Sequence, residues 1–241
     1  MKKQKNSGMN DTYFKNCHGI DEDGHIMSAY DIALLSKNLL NNYPEVTKYT
    51  TIYMDSLRDG KSSLVNTNKL VRNYSGCTGL KTGSTSLALY NLAASASRDG
   101  LDLIAVVMKA PSSKLRFKNA ASLLDYGFSN FQYKKLISKN DTVKTVTINK
   151  GIQPSINAIS SSDLGVTLPK GQDVAIEQTI SIPENLNAPI SQGQIMGTLT
   201  YTLNGKTISE CDLLANEAVS KINLLSMGKH LLNNWFSLLR K

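Results

Sequence analysis

The sequence predicts an α+β fold: an antiparallel sheet with helices, then a small all-β sandwich-like domain, then an amphipathic helix at the C-terminus. Three observations predict it. Asp99-Gly100 lies between two apolar runs, where an Asp-Gly pair turns a hairpin, and behind it Phe117, Ala121, Leu124 and Phe128 recur at helical spacing. From about Tyr133 the texture changes to short β-type segments between turns at Lys150-Gly151, Lys170-Gly171, Gln192-Gly193 and Asn204-Gly205. Past Asn216, the residues Leu224, Leu225, Leu231, Leu232, Trp235, Phe236, Leu238 and Leu239 gather on one broad helical face. The segments implied are 1–132, 133–215 and 216–241.

Taken in order, Met1 to Ile20 is polar and loop-like, and His18, before a Gly, reads as a hydrogen-bonded structural group. The acidic turn Asp21 to Gly24 lacks the oxygen ligands and terminal Glu of a calcium loop. Ser28 with Asp31 three residues on reads as an N-cap with a capping-box acid. A helix from Ala29 to Asn41 follows, with Ile32, Leu35 and Leu39 on one face. Asn41 to Tyr43 breaks it, and Pro44 suits the first turn of a short second helix. Thr50 to Leu57 is rich in β-branched and aromatic residues, so it reads as a strand before the turn Arg58 to Lys61; Ser62 to Asn73 shows no period. Tyr90 to Ser97 and Leu101 to Lys109 are the hairpin strands, and the continuous apolar run Leu103 to Met108 predicts a strand buried on both faces. Ser112 or Ser113 caps the next helix, which ends near Gly127. Thr142 to Asn149, Asp173 to Ile182 and Gly197 to Leu203 are strands of the β domain.

Among 241 residues, 41% are hydrophobic and 19% charged, a globular composition, and 27 Lys+Arg against 19 Asp+Glu give +8. That excess favours an anionic membrane or polymer. Nucleic acid is set aside, because no RNP-like aromatic pattern, zinc-finger spacing or arginine cluster accompanies it. Cys17, Cys77 and Cys211 have neither disulfide-framework nor metal-ligand spacing. Each reads as a small buried apolar residue, with a reactive thiol left open at Cys77 alone. MKKQKNSG is charged like the start of a signal peptide but no apolar segment follows it. In the last helix no acid follows Glu217, while Lys221, Lys229, Arg240 and Lys241 are basic. Leu224 to Lys241 therefore suits an anionic membrane surface, the other reading being a helix packed on the β domain.

The stretch most suggestive of chemistry is Ser75 to Ser86, SGCTGLKTGSTS, with Lys81-Thr82-Gly83 at its centre. A cation beside a hydroxyl suits a carboxylate or a reacting oxygen, and the adjacent Gly lets a ligand approach the backbone. The tripeptide alone is equally a turn entering a strand. Beside the Leu103 to Met108 strand, it becomes a strand at a sheet edge.

In this order the features resemble the D-alanyl-D-alanine carboxypeptidases, low-molecular-mass penicillin-binding proteins. The resemblance rests on GMNDTYFKNCHG (Gly8 to Gly19), MSAYDIA (Met27 to Ala33), GLKTG (Gly79 to Gly83), YNLAASAS (Tyr90 to Ser97), the strand Leu103 to Lys109, the helix carrying Arg116, and the β domain and tail. It implies a partial penicillin-binding, β-lactamase-like transpeptidase domain ahead of the β domain. It also implies a serine-type reaction that removes the terminal D-alanine of peptidoglycan stem peptides, without metal or organic cofactor, in a protein that β-lactams acylate when it is whole. Carried over, Lys81 supplies positive charge, Thr82 hydrogen-bonds the substrate's terminal carboxylate, Gly83 allows close approach, the backbone N–H of Ser84 is an oxyanion donor, and Arg116 helps hold the carboxylate. The location implied is the extracytoplasmic face of the cell membrane.

The departure is the nucleophile. The family's S-x-x-K occurs only as Ser226 to Lys229, in the tail, and S-x-N is met at Ser36 to Asn38, on a predicted helix, and at Ser155 to Asn157, in the β domain. Thr78 stands where an acid is common and Leu89 where Gly is common. The expectation is therefore the C-terminal part of a longer carboxypeptidase, inactive alone; the alternative is a non-catalytic envelope module that binds peptide carboxylates or protein partners.

Overall fold

The computed structural model describes residues 8–172 and 174–223. The fold is mixed α+β, as the sequence predicts, with 20% helix and 45% strand. Two compact units, Met1–Gln132 and Tyr133–Lys241, divide the chain. The amphipathic helix expected over Leu224 to Lys241 lies outside the described residues, among which no helix is long and apolar enough to cross a membrane.

In the first unit helix α1, Ala29–Asn42, begins where Ser28 predicts, its hydroxyl accepting from Asp31 N at 3.1 Å. The capping box does not form. Asp31 is buried and its Oδ2 accepts from Asp11 N at 2.8 Å, while Ser28 N donates to Thr12 Oγ1 at 3.3 Å, so the acid ties down the preceding loop. Nor is Leu35 on the covered face: it is 42% exposed, and the buried positions are Asp31 and Ser36. Pro44 opens a 3-10 turn, Pro44–Val46, that runs into α2, Thr47–Thr50. The strand expected from Thr50 is shorter, β1 being Met54–Leu57. The period-free stretch after the turn holds β2, Ser62–Val65, antiparallel to β1, and α3, Leu70–Asn73.

The centre of this unit is the antiparallel sheet β3-β4-β5, with β3 Cys77–Thr85, β4 Leu89–Arg98 and β5 Leu101–Ala110. Asp99 (φ 50°) and Gly100 (φ 78°) make the expected two-residue turn. The register pairs Leu92 with Val107 and Ala94 with Ala105, and all four are buried on one face. Ile104, Val106 and Met108, on the other face, are half-buried, so the apolar run is closed on one side only. Helix α4, Ser113–Asn130, capped by Ser112, packs on β5 and β4 and runs three residues past Gly127. A Cβ at Gly127 would collide with Leu103 Cδ1, so the missing side chain sets how closely helix and sheet approach. Its buried stripe is Arg116, Ala120, Leu124, Gly127 and Phe128, one residue earlier at its start than the Phe117–Ala121 spacing suggests, and it carries an arginine.

The second unit is all β among its described residues. A six-stranded sheet runs β10-β12-β13-β8-β7-β11, with β7 Thr142–Asn149, β8 Ser155–Ser160, β10 Ile176–Ser181, β11 Leu186–Asn187, β12 Ile195–Leu203 and β13 Lys206–Ala215. A second sheet pairs β6, Phe131–Ile137, with β9, Leu164–Pro169. Val146, Ile156, Leu199 and Leu213 lie in its core. Of the cysteines expected inside, Cys211 is buried beside Ser160, Cys77 is half-buried and Cys17 is exposed in the polar loop, where no element covers it.

Candidate functional site

Lys81, Thr82, Gly83 and Ser84 lie in the second half of β3, an edge strand whose register sets them opposite Ala93, Leu92, Asn91 and Tyr90. Side chains alternate along a strand, so Lys81 and Thr82 point to opposite faces. Lys81, Gly83 and Ser84 are exposed, and Thr82 is buried at 7%. Thr82 Oγ1 lies 2.7 Å from Thr67 Oγ1, a pair in which either hydroxyl can donate, and Lys81 Nζ folds back to donate to Thr82 O. A Cβ on Gly83 would meet no atom within 4 Å, so the space over that residue is open.

Arg116 comes to the same strand from helix α4. It is 6% exposed, lies 5.5 Å from the Tyr90 ring and 4.6 Å from the Phe117 ring, and burial pulls its guanidinium below its ordinary pKa. Nη1 donates to Gly83 O at 3.3 Å and Asn91 O at 3.1 Å, and Nη2 to Ser113 Oγ at 3.3 Å; among the described residues Nε has no hydrogen-bond partner. The structure therefore brings Arg116 to the backbone of Gly83, where its charge lies beside the Lys81 to Ser84 segment and its hydrogen bonds brace it.

The outer side of β3 is held by residues that the sequence reading passed over. Asn68, 1% exposed, donates from Nδ2 to Gly79 O at 2.9 Å and accepts from Leu70 N at 3.2 Å, and Thr50 Oγ1 donates to Thr78 O. Asn66 Nδ2 donates to Thr50 O at 3.2 Å and Ile52 O at 2.9 Å, joining the Asn66-Thr67-Asn68 loop to α2. The available signal was the run Asn-Thr-Asn immediately before a short helix, a composition made for side-chain-to-backbone bonds. Asn91 is a fourth such residue: its amide donates to Ala88 O and Leu89 O and accepts from Lys109 N. Leu89, where the family often has Gly, sits at φ 53°, the left-handed region that Gly enters without strain.

At the far end of β3, Gly83, Ser84 and Thr85 line one side of a cavity of about 770 Å³, closed opposite by the loop Gly19 to Met27. Cys77 donates to Gly79 O at 3.4 Å, and burial pushes its thiol pKa up, away from the thiolate a nucleophile needs. His18 Nδ1 accepts from Ile20 N at 3.2 Å, a local structural bond. Among the described residues no group of three or more His, Cys, Asp or Glu is placed to hold a metal ion.

Two family profiles match in tandem: D-alanyl-D-alanine carboxypeptidase (peptidase S11) over residues 1–112, and the penicillin-binding protein 5 C-terminal domain over 131–221. By this match residues 1–112 are assigned to the peptidase S11 family. It is 38% identical over 238 residues to the D-alanyl-D-alanine carboxypeptidase DacF of Bacillus subtilis, covering 97% of this chain and 61% of that protein. It is 33% identical to DacC of Escherichia coli, covering 90% of this chain and 54% of that one. The chain thus spans less than two thirds of the length of the curated relatives it matches. Penicillin-binding protein 5 from Haemophilus influenzae superposes with a TM-score of 0.67 at 30% identity, covering 91% of this chain and 64% of that one.

Proposed function

We propose that this chain supplies the carboxylate-binding wall of a serine-type D-Ala-D-Ala carboxypeptidase site, the reaction being removal of the terminal D-alanine from peptidoglycan stem peptides. The observation that supports it is the edge strand β3, where Lys81, Gly83 and Ser84 are open to solvent while Arg116 braces Gly83 from behind. In this reading a peptide lies along β3. Its terminal carboxylate meets the cationic charge of Lys81 and Arg116 and the Thr82 hydroxyl, and its reacting carbonyl meets the Ser84 N–H, where charge develops in acyl transfer. Arg116 acts largely through Gly83, holding the strand in register and adding a fixed positive charge.

No S-x-x-K precedes Lys81 in these 241 residues, so as they stand they bind the peptide end without acylating. The tail Leu224 to Lys241 would hold the protein on the outer, anionic face of the membrane. The test is the purified 241-residue chain against a fluorescent β-lactam and against a peptide ending in D-Ala-D-Ala or in its C-terminal amide. The expected result is no covalent label, with peptide binding that needs the free carboxylate and weakens in Thr82→Val. A covalent label would overturn the missing-nucleophile reading. Binding indifferent to the carboxylate would overturn the site and leave the chain a structural envelope module.

A further inference from the structure

Thr82 carries one hydroxyl proton, and two acceptors compete for it. In the carboxylate-binding reading that proton goes to the peptide's terminal carboxylate, which can only accept. Yet Thr82 Oγ1 lies 2.7 Å from Thr67 Oγ1, a pair in which either hydroxyl can donate. A threonine hydroxyl donates once, so the two arrangements exclude each other. With Thr82 as donor to Thr67, its proton is turned away from the ligand. With Thr67 as donor to Thr82, the Thr82 proton is free.

The neighbours of Thr67 place it for the second arrangement. It lies in the bend between β2 and α3, and the side chains on either side of it are committed to backbone groups. Asn66 Nδ2 donates to Thr50 O at 3.2 Å and Ile52 O at 2.9 Å, and its Oδ1 accepts from Asn68 N at 2.9 Å. Asn68 Nδ2 donates to Gly79 O at 2.9 Å, on the strand that carries Thr82. The backbone under Thr67 is thus tied to the end of α2 and to β3 by bonds in which the Thr67 side chain has no part. Among the described residues neither hydroxyl has another hydrogen-bond partner, so no competing acceptor draws the Thr67 proton away. Thr67 is exposed and Thr82 is 7% exposed, so the oxygen shielded from water is the one that gains most from a bond delivered to it.

We infer that Thr67 is a positioning residue for the peptide carboxylate: it donates to Thr82 Oγ1 and so leaves the Thr82 proton for the ligand. The inference rests on the carboxylate-binding reading of β3. A hydroxyl that accepts a hydrogen bond becomes a stronger donor, so Thr67 acts both by direction and by polarisation. Neither effect requires Thr67 to touch the peptide.

The test is titration calorimetry on the full 241-residue chain with acetyl-Ala-D-Ala-D-Ala and its C-terminal amide, in Thr67→Val, Thr67→Ser, Thr82→Val and the Thr67→Val/Thr82→Val double variant. Valine keeps the shape of threonine without its hydroxyl. Thr67→Val should bind the acid about fivefold more weakly than the parent, and Thr67→Ser should stay within about twofold of it. In the Thr82→Val background the change at Thr67 should add less than about twofold, because the proton it directs is gone. Hydrogen exchange of the amides pairing β3 with β4 should be unchanged in Thr67→Val, whereas a bond that merely held the strand would show as lost protection. Parent-like binding by Thr67→Val overturns the positioning role, as does lost β3 protection. A loss that persists undiminished in the Thr82→Val background also overturns it, being the mark of a direct contact. In these three outcomes the acid still binds more tightly than the amide, and the carboxylate reading stands. An amide that binds as well as the acid overturns that reading and the inference with it.

Discussion

Replacing Asn68 by Ala tests whether β3 is held in place from outside the tripeptide. Asn68 is 1% exposed, and its side chain occupies two backbone groups, Gly79 O at 2.9 Å and Leu70 N at 3.2 Å. In Asn68→Ala the Leu70 N–H loses its acceptor and Gly79 O keeps the Cys77 thiol, a weak donor at 3.4 Å. A buried polar group left without a partner costs about 1–3 kcal/mol, so the two together should cost about 3 kcal/mol, roughly a hundredfold in the opening equilibrium. Trp235, the single Trp, lies outside this unit, and two units need not unfold together, so fluorescence-detected denaturation is the wrong assay. Hydrogen exchange resolves it: the Leu70 amide and those pairing β3 with β4 should lose about two decades of protection, while β12 and β13 are unchanged. Asn68→Asp keeps the acceptor for Leu70 but sets a carboxylate oxygen against Gly79 O. The folded state then raises that carboxyl's pKa, so stability is fuller below pH 4 and is lost as pH rises through the folded value. Protection in Asn68→Ala within about 0.5 kcal/mol of the parent would refute the anchoring argument.

Gly79→Ala and Gly83→Ala should separate folding from binding. Gly79 has φ 145° and a Cβ there would sit 2.8 Å from Thr50 Cβ, so the variant should lose at least about 2 kcal/mol by hydrogen exchange; Gly83→Ala, with open space, should fold normally yet weaken the D-Ala-D-Ala peptide about tenfold by calorimetry. Tyr74 donates to Asp125 Oδ1 at 2.7 Å, and burial first, then that bond, push its phenol up to about 12. Its contribution is fully present below pH 10 and lost as pH rises through 12, so urea titrations between pH 9 and 12 should show a steeper fall for the parent than for Tyr74→Phe. Deleting Leu224 to Lys241 should abolish co-sedimentation with anionic vesicles, and unchanged sedimentation would remove the anchor.

What could be read in advance was whatever is decided locally. Ser28 caps α1 because a hydroxyl three residues before an amide needs no tertiary partner, and Asp99-Gly100 turns because its backbone angles are intrinsic to those residues. The placement of Lys81 to Gly83 on an edge strand followed from the hairpin beside it. Arg116 was named for its match to the family, but its burial was hidden: a 3.6-residue stripe searched for among apolar residues starts at Phe117, and the packed stripe starts one residue earlier with a guanidinium. In β6 (FQYKKLI) the consecutive Lys134 and Lys135 fall on both faces and break the alternation that marks a strand.

The anchoring residues were hidden for a different reason, and it bears on how the site works. Asn68 and Gly79 are 11 residues apart and Thr67 and Thr82 are 15 apart, so nothing in either segment announces the other. Yet these pairs, with Arg116 on Gly83 O, bond to Gly79, Thr82 and Gly83, while among the described residues the Lys81 side chain bonds only to the strand's own Thr82 O. A cation so placed can exchange that internal carbonyl for a ligand's oxygen without moving the backbone. Preorganisation of this kind lowers the ordering cost of binding, because the strand is already fixed and one exposed side chain alone must turn. The geometry of the tripeptide therefore depends on bonds that lie outside it. A variant that loosens Asn68 should weaken peptide binding even though it touches no part of the peptide.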